Sequence, residues 1–426
     1  MGFPVIVAGG GPAGAFYAAQ LAAAGRRVTL VDEHLAWEKP CGGGLTDKAL
    51  RRYPFLAESA ESHNAVSECE LISPQGRTLL LRLDRTVAIF SRKVLNGILL
   101  ERARRAGVAL VQERIAGLES DRQSWRVRLS SGCRLRAQAV VVATGARNPL
   151  RAAVPSPLGD EDWMATAGYY LPLERLPWPR QRMAIRFLPN LEGYIWSFPR
   201  GDHASVGICG KLGSEPTRTL RQRLEAALDA WGVDWRTDAA FYAHLLPAPD
   251  PKRLRAAEFA GAAPHPWALV GDAAGLVDPI TGEGLYYALR SAELLAQTGF
   301  ENYSAAVQAE LVPELAAAGA IVRRFYFGRF CGASVLERMT QFGQRSARFR
   351  ELLCDLFSGA QGYLGLRERL WRQLAPALLQ MALPSTGAGP GVAAPVNDAL
   401  RRLPGLDVRP GWGPPEPQPG PRVGTH

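Results

Sequence analysis

Gly9, Gly11 and Gly14 stand in Gly9-Gly10-Gly11-Pro12-Ala13-Gly14, the G-x-G-x-x-G spacing that suits a dinucleotide. A glycine at 9 permits a tight turn, and one at 11 lets backbone approach a pyrophosphate. One at 14 lets helix and strand pack closely. A helix opening at Pro12 and Ala13 would turn unpaired N–H groups and its positive dipole end towards the phosphates. Asp32 follows 23 residues after Gly9, with Glu33 beside it. A carboxylate there can accept both hydroxyls of a ribose. The elements needed to position these groups are present in order. An apolar run at 4–8 reads as a buried strand, an Ala-rich helix at 15–24 is stopped by Gly25, and 27–31 reads as a second strand. The plain alternative is a glycine-rich turn beside a surface Asp, and the strand–turn–helix–strand context speaks against it.

This fingerprint alone does not separate NAD from FAD. The separation rests on Ala268-Leu269-Val270-Gly271-Asp272-Ala273-Ala274-Gly275. A strand ending in Gly271-Asp272 places a carboxylate where the hydroxyls of a flavin's ribityl chain need acceptors. Asp278-Pro279-Ile280-Thr281-Gly282-Glu283-Gly284 then opens another helix, over 284–298. Gly282 and Gly284 would let backbone N–H groups reach the flavin ring edge. That edge becomes anionic on reduction, so a helix N-terminus favours the reduced form. FAD is the expected cofactor.

On these residues the chain resembles the FAD-dependent group of para-hydroxybenzoate hydroxylase-like monooxygenases and geranylgeranyl reductases, and the reductase branch more closely. Lys39-Pro40-Cys41-Gly42-Gly43-Gly44-Leu45 is similar to that branch's Cys-Gly-Gly-Gly motif, and Gly193-Tyr194-Ile195-Trp196-Ser197-Phe198-Pro199-Arg200 to its Tyr-x-Trp-x-Phe-Pro motif. The segment 271–288 is similar to its flavin segment, with Pro279 and Glu283 inside it. The resemblance covers about residues 4–310, and more loosely the helices to 380. It implies that Arg92, at the start of a helix capped by Ser91, contacts FAD. A guanidinium there also suits a pyrophosphate physically. Thr144-Gly145 stands where the family commonly has Asp-Gly. Among the hydroxylases that Asp is tied to FAD and NAD(P)H, so Thr144 leaves the electron donor open: NAD(P)H or another reductant.

The resemblance implies a fold class. It is an α/β chain with a Rossmann-like FAD-binding domain of the GR2 type, interleaved with a mixed β-sheet substrate domain and followed by C-terminal helices. The expected boundaries are 1–62, 87–150 and 255–310 for the FAD-binding domain, and 63–86 with 151–254 for the sheet domain. A helical region is expected at 311–383 and a Pro-rich, disordered tail at 384–426, where seven prolines fall between Pro404 and Pro421. Strands are expected at 183–188, 194–198 and 204–210, with a helix near 218–230. A hairpin at 70–73 and 77–83 is also expected.

No Ser-His-Asp array, HExxH or carboxylate pair stands out, and the six histidines are isolated. The flavin would therefore carry the chemistry. The expected reaction is hydride transfer from reduced FAD to a C=C bond of a prenyl or similar apolar substrate. The alternative is an FAD-dependent monooxygenase, hydroxylase, epoxidase or halogenase of a biosynthetic pathway. Cys41, on a glycine loop read as mobile, is the candidate for positioning or protonating substrate, against the plain alternative of a small thiol chosen for fit. Gly43, Gly44, Tyr194, Trp196 and Phe198 are candidates for the substrate pocket. Tyr194 and Trp196 alternate along a strand and point to one face. Ordinary core packing is the other reading of that face.

Composition bounds the rest. The chain has 426 residues, 47% of them apolar, and a formal net charge of +10. That excludes a wholly disordered chain. Of 50 basic residues only five are Lys, so the arginine bias speaks for codon usage rather than for a nucleic-acid partner. No CxxC pair or other metal ligand set occurs among the six cysteines. There is no apolar run of transmembrane length. A monomer in a reducing cytoplasm is expected, with peripheral membrane contact open. The segment 321–330 interleaves aromatics with arginines. It suits a lipid interface or the cover of a prenyl tunnel, though the plain alternative, an amphipathic helix docked on the body, has the greater weight.

Overall fold

The computed structural model describes residues 4–121, 124–150, 152–213, 216–262 and 265–373. The Pro-rich tail expected at 384–426 lies outside the described residues. Two sheets organise the chain. The first has six strands in the order Ala260–Gly261, Trp267–Leu269, Ala139–Val142, Val5–Ala8, Val28–Val31 and Ala109–Val111. All pairs are parallel except the first. Val7 lies opposite Val141 and Leu30, and all three are buried. A central parallel strand covered on both faces must be apolar throughout, and Val5–Ala8 is. The Pro12–Ala23 helix packs on this sheet with the Arg92–Arg105 and Leu285–Glu310 helices. A three-stranded antiparallel sheet (Ile115–Ser120, Trp125–Leu129, Arg134–Ala137) contributes Trp125, Val127 and Leu129 to the same core.

The second sheet has eight strands, in the order Ala240–Pro247, Trp163–Leu171, Ala204–Lys211, Tyr194–Pro199, Arg182–Phe187, Asn64–Ile72, Thr78–Ile89 and Gly44–Leu45. It is antiparallel except where Arg182–Phe187 runs parallel to Asn64–Ile72. Leu220 and Leu224 of the Thr217–Ala230 helix pack on Ile195, Val206 and Ile208. The end of the Val312–Phe327 helix and the helices Val335–Arg345 and Ala347–Ser358 pack around Leu71, Leu81 and Ile185.

Several expectations need correction. The strands Trp163–Leu171 and Ala240–Pro247 were not anticipated, and they close one edge of the second sheet. That sheet runs past the boundary expected at 86, to Ile89, and recruits Gly44–Leu45 from the N-terminal segment. The long helix after Gly284 kinks at Gly299, whose φ of 68° and ψ of 175° are not helical. A small hairpin, Arg329–Phe330 with Ala333–Ser334, interrupts the C-terminal helices. No single described helix is long and apolar enough to cross a membrane. Leu285–Glu310 and Val312–Phe327, bent by 43°, pass that length and composition test only together.

Candidate functional site: a cavity between the two sheets

The carboxyl ends of four parallel strands open onto one face of the eight-stranded sheet, and a cavity of about 1480 Å³ lies between them. In open α/β sheets ligands collect at this end of the strands. Gly9, Asp32, Thr144 and Asp272 each follow one of those strands and line the cavity. So do the remaining expected cofactor residues: Gly11, Pro12, Ala13, Glu33, Arg92, Gly145, Gly271, Gly282, Glu283 and Gly284. Gly14 and Pro279 are not in the lining. Gly14 acts behind the wall, since a Cβ there would lie 2.0 Å from the Gly9 carbonyl oxygen. Gly9 has φ +110°, and its Cβ would lie 2.3 Å from the Ala143 carbonyl oxygen. Gly11 faces open space, with nothing within 4 Å of a Cβ position. No side chain caps the Pro12–Ala23 helix that starts beside it. This concave, uncapped helix start fits the diphosphate of FAD.

Arg92 strengthens that fit. Its side chain is buried, its Nη2 donates weakly to Asn96 Oδ1 at 3.5 Å, and its Nε has no partner in the protein. A buried guanidinium with spare donors is the donor set an anion needs. Asp32 behaves differently from expectation. Its carboxylate accepts from the N–H groups of Gly10 (2.6 Å), His34 (2.8 Å) and Leu35 (2.9 Å). It braces the glycine turn first, and only its remaining acceptor capacity is left for a ribose. The Glu33 side chain is half exposed, 3.9 Å from His34.

The loop carrying Cys41 is held rather than mobile. Arg200, fully buried, donates to Glu38 and to the Cys41 carbonyl, and its Nη1 lies 2.9 Å from His203 Nε2. Ser205 Oγ also donates to the Cys41 carbonyl, at 3.1 Å. Gly43 has φ +86°, its carbonyl accepts from Phe90 N, and a Cβ there would lie 2.0 Å from the Phe90 oxygen. Glu38 in turn accepts from Ser91 Oγ (2.6 Å), Arg92 N (2.9 Å) and Lys93 N (3.2 Å), which caps the Arg92–Arg105 helix. Burial would raise the Glu38 carboxyl. The Arg200 charge and these hydrogen bonds hold it below its usual range.

The 278–284 turn is equally fixed. Asp278 accepts from Ile280 N at 2.8 Å and from Tyr363 Oη at 2.8 Å, and burial pushes its carboxyl up. Tyr194 Oη donates to the Thr281 carbonyl. The Glu283 carboxylate is held by Thr46 Oγ1 and Lys48 Nζ, each at 2.5 Å. Lys48 lies over the rings of Tyr286 and Tyr287 at 4.6 and 4.7 Å. Burial works against its charge, and Glu283 more than restores it.

The far wall of the cavity is apolar. Val87, Ile89, Met183, Ile185 and Phe187 come from the sheet, and Phe325, Leu356 and Phe357 from the C-terminal helices. Tyr194, Trp196 and Phe198 line the cavity from one face of their strand, with Gly43, Gly44 and Cys41 beside them. Sequence reading missed Glu38, Lys39, Thr46, Lys48, Tyr242, His244 and Tyr363. Arg200 and Lys39 stood in the quoted stretches without a role, and Glu38 directly precedes the one that Lys39 opens. His244 carried no signal at all.

His244 faces Lys39, Asp272, Arg147 and Arg92 across the cavity, and its Nε2 is buried without a hydrogen-bond partner. Burial, reinforced by the Lys39 charge, pushes the imidazole from 6.5 down to about 4. The unfolded chain therefore takes up a proton that the folded one refuses. Stability present above pH 6.5 is lost as pH falls towards 4. His244→Gln should make this acid limb shallower by about 2 kcal/mol, read by urea unfolding at the two pH values. Parallel limbs would contradict a neutral His244.

Among the described residues no group of three His, Cys, Asp or Glu can hold a metal ion. Comparison with known proteins agrees with the cofactor. The FAD dependent oxidoreductase family model matches residues 56–300, more than half of the chain. The geranylgeranyl diphosphate reductase of Synechocystis is 28% identical over 328 residues, covering 69% of this chain and 74% of that protein. The menaquinone reductase of Mycolicibacterium smegmatis is 28% identical over 347 residues, covering 75% and 83%. The crystal structure of a geranylgeranyl bacteriochlorophyll reductase-like protein from Thermoplasma acidophilum shares the fold with a TM-score of 0.68. It is 19% identical and covers 87% of this chain and 98% of that one. With the family model matched over this length, the chain belongs to the FAD dependent oxidoreductase family and is an enzyme that works with FAD.

Proposed function

We propose that the enzyme reduces C=C bonds in a prenyl or similarly long apolar substrate. The observation that carries this reading is the continuity of one cavity. It runs from the Gly9–Gly11 turn to the apolar wall of Ile185, Phe187 and Phe325. Bound FAD, once reduced, supplies a hydride to such a bond. The chain's own residues bind, orient and exclude water. Gly9, Gly11 and the helix start at Pro12 and Ala13 would hold the diphosphate with Arg92. Asp32 and Glu33 would serve the ribose, and Asp272 the ribityl chain. Gly282 and Gly284 would face the ring edge, with Thr144 and Gly145 opposite. Tyr194, Trp196 and Phe198 would lie along the apolar chain and keep water out. The Cys41 thiol, which accepts from Gly43 N at 3.3 Å, lies among them as the candidate for placing a proton.

The names of relatives support the substrate class. Besides the two above, the digeranylgeranylglycerophospholipid reductase of Methanoculleus marisnigri is 26% identical over 311 residues. NAD(P)H or another reductant would supply electrons. Thr144 Oγ1 lies 3.2 Å from Asn148 Oδ1 and carries no charge for a nicotinamide partner to meet. The test is mass spectrometry after anaerobic incubation of the dithionite-reduced enzyme. Geranylgeranyl diphosphate, a digeranylgeranyl glycerophospholipid and menaquinone form the substrate panel. Products heavier by two hydrogens are expected from at least one. Products that appear only when oxygen is admitted, heavier by an oxygen atom, would replace this reading with a monooxygenase.

A further inference from the structure

The Val312–Phe327 helix has two different faces at its C-terminal end. Inward, Phe325 lines the cavity and packs edge-on against Phe187 at 5.8 Å. Outward, Arg323, Arg324 and Phe327 are exposed, and their spacing puts them on one stripe. The Arg329–Phe330 and Ala333–Ser334 hairpin continues that stripe with Phe330 exposed at its tip. The hairpin is not loose. Arg338 donates to the carbonyls of Phe330 and Cys331, Arg329 donates to Gly332, and the Phe330 ring leans on Phe342 at 6.2 Å. Two large aromatic rings are thus held out in water on a braced support, 44% and 37% exposed. No acidic residue occurs between Leu315 and Leu336. The carboxylate that faces Arg323 is the half-buried Glu192.

We propose that this helix end and hairpin dock on an anionic phospholipid surface. Rings held beside guanidinium groups match the headgroup boundary, where the rings leave water and the arginines meet phosphates. Continuity with the cavity gives docking a purpose. Phe325 and Phe327 belong to the same helical turn, so an apolar chain leaving the membrane would meet the cavity wall directly. That purpose rests on the substrate reading above, while the docking itself does not.

The experiment uses the full-length, FAD-loaded protein and sedimentation with vesicles. One set is phosphatidylcholine alone, and the other also contains phosphatidylglycerol. The wild type should bind the anionic vesicles selectively, and high salt should release it. Near an anionic surface each arginine is worth about fivefold in affinity. Arg323→Glu with Arg324→Glu should therefore weaken binding by at least about tenfold. Phe327→Ser with Phe330→Ser should weaken it as well, with the visible flavin bands unchanged in both variants. Equal binding to the two vesicle types, no binding, or wild-type binding by both variants would overturn the proposal. So would concentration-dependent dimerisation that Phe327→Ser abolishes, because the face would then belong to a second copy of the chain. Vesicle binding needs no turnover, so a negative result leaves the substrate reading standing, and a failed turnover assay leaves this one standing.

Discussion

A Gly11→Asp variant should purify folded and colourless. Gly11 has φ −70° and ψ −177°, extended backbone that any residue adopts, and a Cβ there meets nothing within 4 Å. It is also the cap position of the Pro12–Ala23 helix, where aspartate is a favoured residue and suits the helix dipole. The fold loses nothing. A bound diphosphate would instead find a carboxylate where it needs open N–H groups. Like charges at close range in a half-enclosed site should weaken FAD binding at least about a hundredfold, or about 2.7 kcal/mol. Isothermal titration with FAD, beside circular dichroism of the same sample, reads both halves of the prediction. Gly14→Ala is the contrasting control, because its Cβ would collide with the Gly9 carbonyl and damage the turn itself. A yellow Gly11→Asp protein with wild-type affinity would remove the diphosphate from this turn.

The second large effect is expected at Arg200. It is fully buried and joins Glu38, which caps the Arg92–Arg105 helix, to the carbonyl of Cys41 in the glycine loop. Arg200→Met leaves Glu38 without its counter-charge, and Glu38 and the Cys41 carbonyl each lose one donor. Breaking a buried pair from one side costs about 3 kcal/mol or more. The Glu38 side chain keeps 24% exposure, so the lower end of that range applies. Arg200→Lys should not rescue, because one ammonium cannot copy a planar fork that spans two acceptors. Urea unfolding checks the stability. FAD affinity should fall too, since the loop at 39–44 lines the cavity. An unchanged unfolding midpoint would mean that the loop is held by Gly43 and Ser205 alone.

The parts of this site that were legible in the sequence are those a contiguous stretch specifies by itself. Gly9 to Asp32 is one strand–turn–helix–strand unit, and its chemistry follows from local geometry. The 271–284 segment and the alternation of Tyr194 with Trp196 are local in the same sense. The unread parts depend on partners far apart in the chain. Glu38 and Arg200 are separated by 162 positions, and Thr46 and Glu283 by 237. No periodicity encodes such pairs. The Trp163–Leu171 strand escaped for another reason. It is buried on both faces, so Met164, Ala165, Ala167 and Gly168 show no alternation to read. The glycines beside Cys41 suggest mobility from sequence alone. In the fold Gly43 serves close approach to Phe90 instead of motion. The Glu283 carboxylate, grouped with the flavin segment by its position, turns back to Thr46 and Lys48 because a buried charge needs a partner.

Anaerobic reoxidation of the FAD-loaded, photoreduced enzyme on mixing with a prenyl substrate tests C=C reduction itself. The oxidised flavin absorption bands should return without oxygen, in step with a product two hydrogens heavier. Bands that stay bleached with every prenyl substrate, and return only when oxygen is admitted, would contradict it.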